Sequence, residues 1–248
     1  VAMILVTFEG ARKDAGIGVV DRESHHIVDL AAAAARAKAD PAPFTSMLAL
    51  MDGGERALDA ARQLVEQFSD EPDVAHLRSE VRLISPVPEP RSIRDFSVFP
   101  THVRLAPIGM RKLAARIMGE DKALASLGPL PVEPPPVPSL FREQPIFYKG
   151  NRLTVVGTDH DVRWPSYSQY MDYELEFGIF IGKKALNVRA GKARDHIFGF
   201  TIFNDFSARD AQMREMPSRF GPAKGKDFDT GNAVGPWIVT ADELPDPY

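Results

Sequence analysis

The sequence of 248 residues contains no cysteine. Disulfide bonds, thiolate metal sites and cysteine nucleophiles are therefore excluded. An excess of positive charge is also lacking, because the formal net charge is -4 and the isoelectric point is near 5.9. Binding to nucleic acid or to an anionic membrane surface would need a basic patch, so neither partner is expected.

Long hydrophobic runs are absent as well. The N-terminal "VAMILV" is too short for the apolar region of a signal peptide, and no apolar segment approaches the length that spans a bilayer. We therefore expect a cytoplasmic protein. Its hydrophobic content of 44% and charged content of 26% are ordinary for a globular chain. The length allows one large domain or two modest ones.

The first third of the chain predicts a small α+β unit. Three short apolar segments have the pattern of strands in a meander: "MILVTFEG", "IGVVD" and "HIVDL". "AAAAARAKAD" is a strong helix former, and a second helix is predicted over Arg56 to Phe68, where apolar residues recur at helical spacing. Prolines between Pro86 and Pro90 interrupt regular structure, so we place a boundary there and assign residues 1–85 to an N-terminal domain.

The remainder, residues 86–248, predicts a domain rich in strands. A helical stretch around Met110 to Met118 is followed by "GPLPVEPPPVPSLF", which is too rich in proline for a helix or a central strand. Four later segments have the pattern of short strands between turn residues: "RLTVVG", "LEFGIFIG", "HIFGFTIFND" and "GPWIVT". This pattern favours a barrel or a sandwich.

Three carboxylates stand at the ends of these predicted strands. Residues i and i+2 of a strand point to the same face, so Glu174 and Glu176 would converge, and Asp205 ends the apolar run of the next strand. With no cysteine and no paired histidines nearby, such a set suits Mg²⁺, Mn²⁺ or Ca²⁺. The alternative is that the two glutamates lie on a solvent-exposed face and that Asp205 caps a turn.

Three longer blocks resemble the fumarylacetoacetate hydrolase family: "YMDYELEFGIFIGKKALNV", "HIFGFTIFNDFSARDAQ" and "GPAKGKDFDTGNAVGPWIVT". The resemblance extends back through "PIFYKGN" to "RDFSVFPTH" and so covers about residues 85–248. It implies an α+β fold in which the catalytic domain is a mixed β-roll or barrel that holds a divalent cation. Mg²⁺ is the expected ion, with Mn²⁺ or Ca²⁺ as alternatives.

The resemblance also implies roles for single residues. Four carboxylates match the metal ligands of the family: Asp95, Glu174, Glu176 and Asp205. Lys226 matches a lysine beside the metal and the substrate oxygens, and Thr230 matches a hydroxyl near the same ion. Read without the resemblance, Asp95 could cap a turn after Arg94, and Lys226 could be a solvated lysine for which Lys224 would serve equally well.

Substrate contacts and the general base follow from the same match. Arg209 and Gln212, three residues apart on one helical face, match a substrate-binding pair, and Tyr148 matches a tyrosine on the substrate side. His102 follows Asp95 by seven residues, which is the spacing of the catalytic histidine in larger members, and it is predicted to be the general base. Read without the resemblance, His102 could be an ordinary surface histidine, and Arg209 could be an ordinary surface arginine.

The implied activity is metal-dependent hydrolysis of a carbon–carbon bond in a 1,3-dicarbonyl acid, such as an acylpyruvate, through a metal-stabilised enolate. The expected partner is this small acid, and a homodimer is expected. Alternatives are a dehydratase, for example of a 2-keto-3-deoxy sugar acid, a decarboxylase or isomerase of a 2-oxo acid, and an inactive relative that only binds a metal.

Three departures from the family pattern accompany these expectations. The sequence ends soon after "PWIVT", whereas family members continue with further strands, so the catalytic domain is expected to be incomplete at its C-terminal side. No glutamate follows His102 at short helical spacing to orient the imidazole. Met216 occupies a position where some hydrolases have a tyrosine, so fumarylacetoacetate itself is not the expected substrate.

Overall fold

A computed structural model describes residues 2–10, 14–22, 25–129, 131, 133, 135–244 and 246. The strands are β1 (Ile4–Glu9), β2 (Ala15–Val20), β3 (His26–Asp29), β4 (Ala75–Leu77), β5 (Arg82–Leu83), β6 (Ile93–Phe96), β7 (Phe147–Gly150), β8 (Val155–Val156), β9 (Met171–Asp172), β10 (Leu175–Ile181), β11 (Ile197–Asp205), β12 (Ser207–Ala208) and β13 (Asn232–Thr240). The α-helices are α1 (Leu30–Ala37), α2 (Met47–Phe68), α3 (Pro100–Ile117), α4 (Asp121–Ser126), α5 (Ser139–Glu143) and α6 (Arg209–Glu215).

Nine of these strands form one sheet, in the order β10-β11-β13-β1-β2-β3-β4, with β5 beside β1 and β8 beside β13. Neighbouring strands are antiparallel except for the β8–β13 pair. The first strand of the chain pairs with the last, since Ile4 lies opposite Val239 and Leu5 opposite Ile238. Two small ribbons, β6–β7 and β9–β12, lie apart from this sheet.

The predicted fold class is confirmed: the protein is α+β and is built on a large, mainly antiparallel sheet. The described strands do not close into a barrel, because β10 and β4 are both edge strands. The division at residue 85 stays a prediction. The large sheet extends across that point, because β1 joins the N-terminal strands to β13.

The main hydrophobic core lies between this sheet and the first two helices. It includes Leu5, Val28, Leu50 and Ile238, none of which is exposed to solvent. The Ser46 side chain caps α2 by accepting from the N–H of Ala49 at 3.1 Å. Apolar residues from the first third and from the last third of the chain therefore share one core.

Two helices begin earlier than the apolar spacing predicts. Helix α2 starts at Met47 rather than near Arg56, and its backbone is non-helical at Gly54, where φ is 59°. Helix α3 starts at Pro100 rather than near Met110, and a proline in the first turn suits a helix start. His102 therefore lies on the first turn of a helix and not in a loop.

No helix in the described ranges is long and apolar enough to cross a membrane. The cytoplasmic location stays a prediction.

Gly199 of β11 lies opposite Thr240 of β13 and allows a close approach of the two backbones. A Cβ atom at this position would lie 2.3 Å from the carbonyl oxygen of Val239 and 2.6 Å from Cγ2 of Ile238. We expect Gly199→Ala to lower the free energy of unfolding by roughly 1–3 kcal/mol, because the backbone of β13 must shift. Urea denaturation measures the change.

The matched control is Gly191→Ala, since Gly191 is exposed and a Cβ there meets no atom within 4 Å. Its stability should be equal to that of the unmodified protein or higher by up to about 1 kcal/mol. Equal stabilities for the two variants would contradict the close approach of β11 and β13.

Candidate metal centre

Four carboxylates converge at one end of the large sheet. Asp95, Glu174, Glu176 and Asp205 each place one oxygen atom within 4.8 Å of the corresponding atoms of the other three. They are the four residues that the sequence predicts as metal ligands. The structure thus brings the predicted set together, and their role as ligands stays a prediction.

The pairing of β10 with β11 brings three of these carboxylates together. The N–H of Asp205 donates to the carbonyl of Glu174 at 3.0 Å, and the N–H of Glu174 donates to Oδ1 of Asn204 at 3.2 Å. Because strand residues alternate between faces, Glu174 and Glu176 point away from the face of exposed Leu175. Asp205, at the end of β11, is fully buried.

The fourth carboxylate comes from the β6–β7 ribbon. Asp95 lies opposite Tyr148 in the register of this ribbon. The Tyr148 hydroxyl donates to Oδ2 of Asp205 at 2.5 Å, so the ribbon is joined directly to the end of β11. Burial, followed by the charge of Asp205, raises the pKa of Tyr148, which keeps the phenol protonated as a donor.

One buried ammonium group links two members of the cluster. The Nζ atom of Lys226 lies 2.8 Å from Oε2 of Glu174 and 2.5 Å from Oδ2 of Asp205. Its side chain is only 3% exposed, so it is not a solvated surface lysine. The structure separates it from Lys224, which is exposed and whose Nζ lies 5.0 Å from the centre of the Tyr167 ring.

Arg209 supplies a second positive charge from the first residue of α6. Its Nη1 atom lies 2.6 Å from Oε1 of Glu174 and donates to Oε1 of Gln212 at 3.0 Å. Its Nε atom donates to Oδ2 of Asp172 at 2.9 Å. The predicted pair of Arg209 and Gln212 therefore stands side by side at the edge of the carboxylate cluster.

These two cations do not balance the four carboxylates. Burial, followed by the carboxylate of Asp205, raises the pKa of Asp95 to about 7. Burial and the charges of the other three carboxylates raise the pKa of Glu176 to about 8. For Glu174 burial acts in the same direction, but Lys226 and Arg209 outweigh it and lower the pKa. Ionisation of Asp95 and Glu176 is therefore disfavoured, because neither carboxylate has an ion-pair partner within the described residues.

The residues present fit a hard divalent cation. The Oδ1 atom of Asp205 is buried and has no hydrogen-bond partner among the described residues. An unsatisfied carboxylate oxygen is costly in a buried site unless a cation approaches it. The donor set consists of carboxylate oxygens, which Mg²⁺, Mn²⁺ and Ca²⁺ prefer.

Two of the predicted site residues are not joined to this cluster by a hydrogen bond. His102 is exposed, and in the described part of the chain it has no hydrogen-bond or ion-pair partner. The Thr230 hydroxyl accepts from the N–H of Arg163 at 2.7 Å and so ties two loops together. The roles predicted for His102 and Thr230 stay predictions.

Two residues near the site were not predicted from the sequence. Asp172 accepts a hydrogen bond from Arg209, and Asp210 is the residue after Arg209. The Asp210 carboxylate is buried and accepts from the Ser168 hydroxyl at 2.6 Å and from the N–H of Gln169 at 2.9 Å, which fixes the loop before β9. The alternation that pairs Glu174 with Glu176 also includes Asp172, so that signal was present. Nothing in the sequence indicates the long-range contacts of Asp210.

Comparison with known proteins identifies the family. The profile of the fumarylacetoacetate (FAA) hydrolase C-terminal family matches residues 125–248. The chain belongs to the fumarylacetoacetate hydrolase family. The resemblance predicted from three sequence blocks is thereby confirmed.

Two similar proteins are both named as oxaloacetate tautomerases. The mitochondrial oxaloacetate tautomerase fahd2 of Xenopus laevis is 29% identical over 250 residues, which cover 100% of this chain and 65% of that protein. The human mitochondrial oxaloacetate tautomerase FAHD2A is 31% identical over 210 residues, which cover 84% of this chain and 55% of that protein. The chain thus spans 55–65% of the length of these two curated relatives.

Among solved structures, the fold resembles that of maleylpyruvate hydrolase from Sphingobium sp. SYK-6, whose structure contains a manganese(II) ion and pyruvate. The TM-score is 0.61 and the sequence identity 23%, and the match covers 99% of this chain and 70% of that chain. This likeness establishes the fold.

The raised pKa values predict how stability depends on pH. In the metal-free protein Asp95 and Glu176 bind protons up to about pH 7 and 8, whereas in the unfolded chain they ionise near their ordinary values. The folded state therefore holds more protons between pH 5 and 8, so stability must fall as the pH rises. We expect the Tm in EDTA to decrease over this interval, and excess Mn²⁺ to oppose the decrease by binding the ionised carboxylates.

Two variants make this measurement specific. Glu176→Gln removes one of the titrating groups and should flatten the slope of Tm against pH. Glu66→Gln, which changes an exposed glutamate of α2, should leave the slope as it is. A Tm that rises between pH 5 and 8 in EDTA would show that the cluster is not protonated in the way described.

Proposed function

We propose that this protein is a divalent-metal-dependent enzyme that acts on a 2-oxo acid by moving charge onto the oxygen of its 2-oxo group. The observation that carries the proposal is the cluster of four buried or partly buried carboxylates, with two cations beside it. One Asp205 oxygen in this cluster has no hydrogen-bond partner among the described residues. A purely structural cation would need only the carboxylates, so the presence of Lys226 and Arg209 supports chemistry at this site.

Four residues would hold the ion: Asp95, Glu174, Glu176 and Asp205. Mg²⁺ or Mn²⁺ bound there would supply a Lewis acid that polarises the 2-oxo group. Mn²⁺ has support from the maleylpyruvate hydrolase structure, which holds this ion together with pyruvate, itself a 2-oxo acid. Mg²⁺ remains our first expectation from the oxygen-only donor set.

The protein's own side chains would bind and orient the acid. Arg209 presents a planar guanidinium, which suits a carboxylate, and Asp172 and Gln212 hold that guanidinium in place. Lys226 places its ammonium group between Glu174 and Asp205, where it would stabilise negative charge on a substrate oxygen. The Tyr148 hydroxyl fixes the Asp205 carboxylate.

Keto–enol interconversion of an oxaloacetate-like acid is our first candidate reaction. A general base or solvent takes a proton from C3 and the 2-oxygen gains one, and no carbon–carbon bond breaks, so no water has to be activated for attack on a carbonyl. This suits a structure in which His102 is exposed and has no orienting partner in the described ranges. The names of the relatives at 29% and 31% identity support the same reaction.

Carbon–carbon hydrolysis of an acylpyruvate is the second candidate, with the hydrolase named in the structural comparison as its support. It would use the same carboxylates, Lys226 and Arg209. In addition, a base must activate water for attack on the distal carbonyl, and His102 is the residue predicted for this role. Dehydration, decarboxylation or isomerisation of other 2-oxo acids would use the same carboxylates and cations.

One assay separates the two candidates. The ultraviolet absorbance of the enol form is followed for oxaloacetate and for a panel of acylpyruvates, with Mg²⁺ or Mn²⁺ and with EDTA. We expect a metal-dependent acceleration for oxaloacetate with the carbon skeleton intact. Cleavage of an acylpyruvate into pyruvate and a second acid, measured by chromatography, would instead indicate hydrolysis.

Glu176→Gln should abolish either activity because it removes one carboxylate from the cluster, and Glu66→Gln should retain full activity. If Mn²⁺ binds but none of these acids reacts, the proposal of an enzyme for 2-oxo acids would be wrong.

We also propose that a second copy of the chain covers the outer face of β10. Leu175, Phe177, Ile179 and Ile181 alternate along this edge strand and are 46–71% exposed. Ile202, opposite Phe177 on β11, extends the surface. A continuous apolar patch of this kind on a sheet is typical of an interface, and a homodimer is the commonest way to bury it.

Light scattering after size-exclusion chromatography tests this assembly. We expect the mass of a dimer, and a shift towards monomer for Ile179→Lys, which places a charge on the apolar face. Glu66→Lys adds a lysine at an exposed position of α2 and should leave the mass unchanged. A monomer at all concentrations would contradict the proposal.

A further inference from the structure

The loop that carries Lys226 is held by a carboxylate outside the metal cluster. Glu215, the last residue of α6, accepts from the N–H groups of Ala223 and Gly225 through Oε1, at 2.9 and 2.8 Å. Its Oε2 atom accepts from the N–H of Lys224 at 2.8 Å. One carboxylate thus receives three backbone donors from the three residues that precede Lys226.

This arrangement is stronger than an ordinary loop contact. Hydrogen bonds to an ionised acceptor are shorter and stronger than neutral ones, and three consecutive N–H groups form a cradle for an anion. The chain then turns tightly, because the N–H groups of Lys226 and Asp227 both donate to the carbonyl of Ala223, at 3.1 and 2.6 Å. The Glu215 side chain therefore fixes the turn from which the Lys226 side chain departs.

Gly225 shows how closely this loop lies against α6. A Cβ atom at Gly225 would lie 2.6 Å from Cβ of Gln212 and 2.9 Å from Oε1 of Glu215. The Gly225 carbonyl accepts from the N–H of Ala208 at 2.8 Å, just before α6 begins. The loop is thus bound at both ends of the helix whose first residue is Arg209.

The position of the loop matters because a lysine side chain is long and flexible. Lys226 must hold its ammonium group within hydrogen-bond distance of both Glu174 and Asp205, which are on different strands. The entropic cost of ordering such a side chain is lower when its backbone is already fixed. Tyr167 adds a contact from the other side, since its hydroxyl donates to the carbonyl of Lys224 at 2.7 Å.

We infer that Glu215 is a positioning residue, which sets the place of the Lys226 ammonium group between Glu174 and Asp205 by clamping residues 223–225 to the end of α6. Helix α6 then links both cations of the site, with Arg209 at its start and the clamp at its end. The inference rests on the proposed function only in the use that the site makes of Lys226.

The first test measures the accessibility of the Lys226 amine in EDTA and needs no activity. The metal-free protein is acetylated with N-hydroxysuccinimide acetate, and mass spectrometry gives the rate at each lysine, with exposed Lys192 as the internal reference. Loss of one charge-assisted hydrogen bond corresponds to about a tenfold change in a local equilibrium. We therefore expect Glu215→Ala to accelerate labelling of Lys226 by at least about tenfold.

Three further variants complete this test. Glu215→Gln keeps one acceptor oxygen but turns an amide donor toward the N–H of Lys224, so its effect should be intermediate. Gly225→Ala forces the loop away from α6 and should release Lys226 even if Glu215→Ala does not fold. Arg214→Ala, on an exposed position of the same helix, should leave the labelling rate unchanged.

The second test asks whether Glu215 acts through Lys226. In the metal-loaded protein, kcat/KM is measured for Glu215→Ala, for Lys226→Met and for the double variant. If Glu215 only positions Lys226, the double variant should be no slower than Lys226→Met alone, whereas independent effects would multiply.

The outcomes are distinguishable. If the unmodified protein turns over none of the acids, the proposed function fails while the labelling still decides the role of Glu215. Labelling of Lys226 that is unchanged in Glu215→Ala and in Gly225→Ala would overturn the inference. Multiplicative losses of kcat/KM would also overturn it, because they would show that Glu215 does not act through Lys226.

Discussion

Four carboxylates within a few ångströms of one another are the constraint on which the rest of this structure depends. Taking even one carboxylate out of water is costly unless it is paired, and here Asp205 is fully buried while Glu174 is mostly so. The protein meets this cost in part, with one ammonium group between Glu174 and Asp205 and one guanidinium on Glu174. The remaining imbalance favours protonation of Asp95 and Glu176 or the approach of a cation. We therefore expect this site to bind positive charge and to gain stability when it does so.

The large sheet explains how such a cluster can be held. Strand β11 is paired on both sides, with β10 and with β13, and β13 is joined to the first strand of the chain. Asp205 therefore sits at the end of a strand that cannot move without disturbing the shared core. Asp95 arrives differently, on a two-stranded ribbon that touches the cluster through the Tyr148 hydroxyl. Three ligand candidates thus lie on or directly beside two paired strands of the large sheet, and the fourth lies on a separate two-stranded ribbon.

The sequence was informative where local pattern decides structure, and less so where distant segments meet. Alternation along "ELEFGIFIG" indicates that Glu174 and Glu176 share one face, and family resemblance adds Asp95, which no local rule could place beside them. The start of α3 was missed because Pro100 reads as a break in an apolar pattern, although proline is favourable in the first turn. Asp210 and Glu215 were missed for another reason. Each is one acidic residue among many, and its partners lie about ten or forty positions away in the chain.

The charge distribution bears on which reaction suits this site. Enolisation of a 2-oxo acid creates negative charge on one oxygen. Both side-chain cations of the site could stabilise this charge, because Lys226 lies between Glu174 and Asp205 and Arg209 lies beside Glu174. Hydrolysis would also need a base placed on the far side of the substrate and oriented by a partner. Within the described residues, the base predicted for this step, His102, has no partner and is open to solvent. Under the proposed function, Lys226 and Arg209 serve the formation of the enolate, whereas the activation of water rests on His102 alone. For this reason we propose keto–enol interconversion ahead of the cleavage of a carbon–carbon bond.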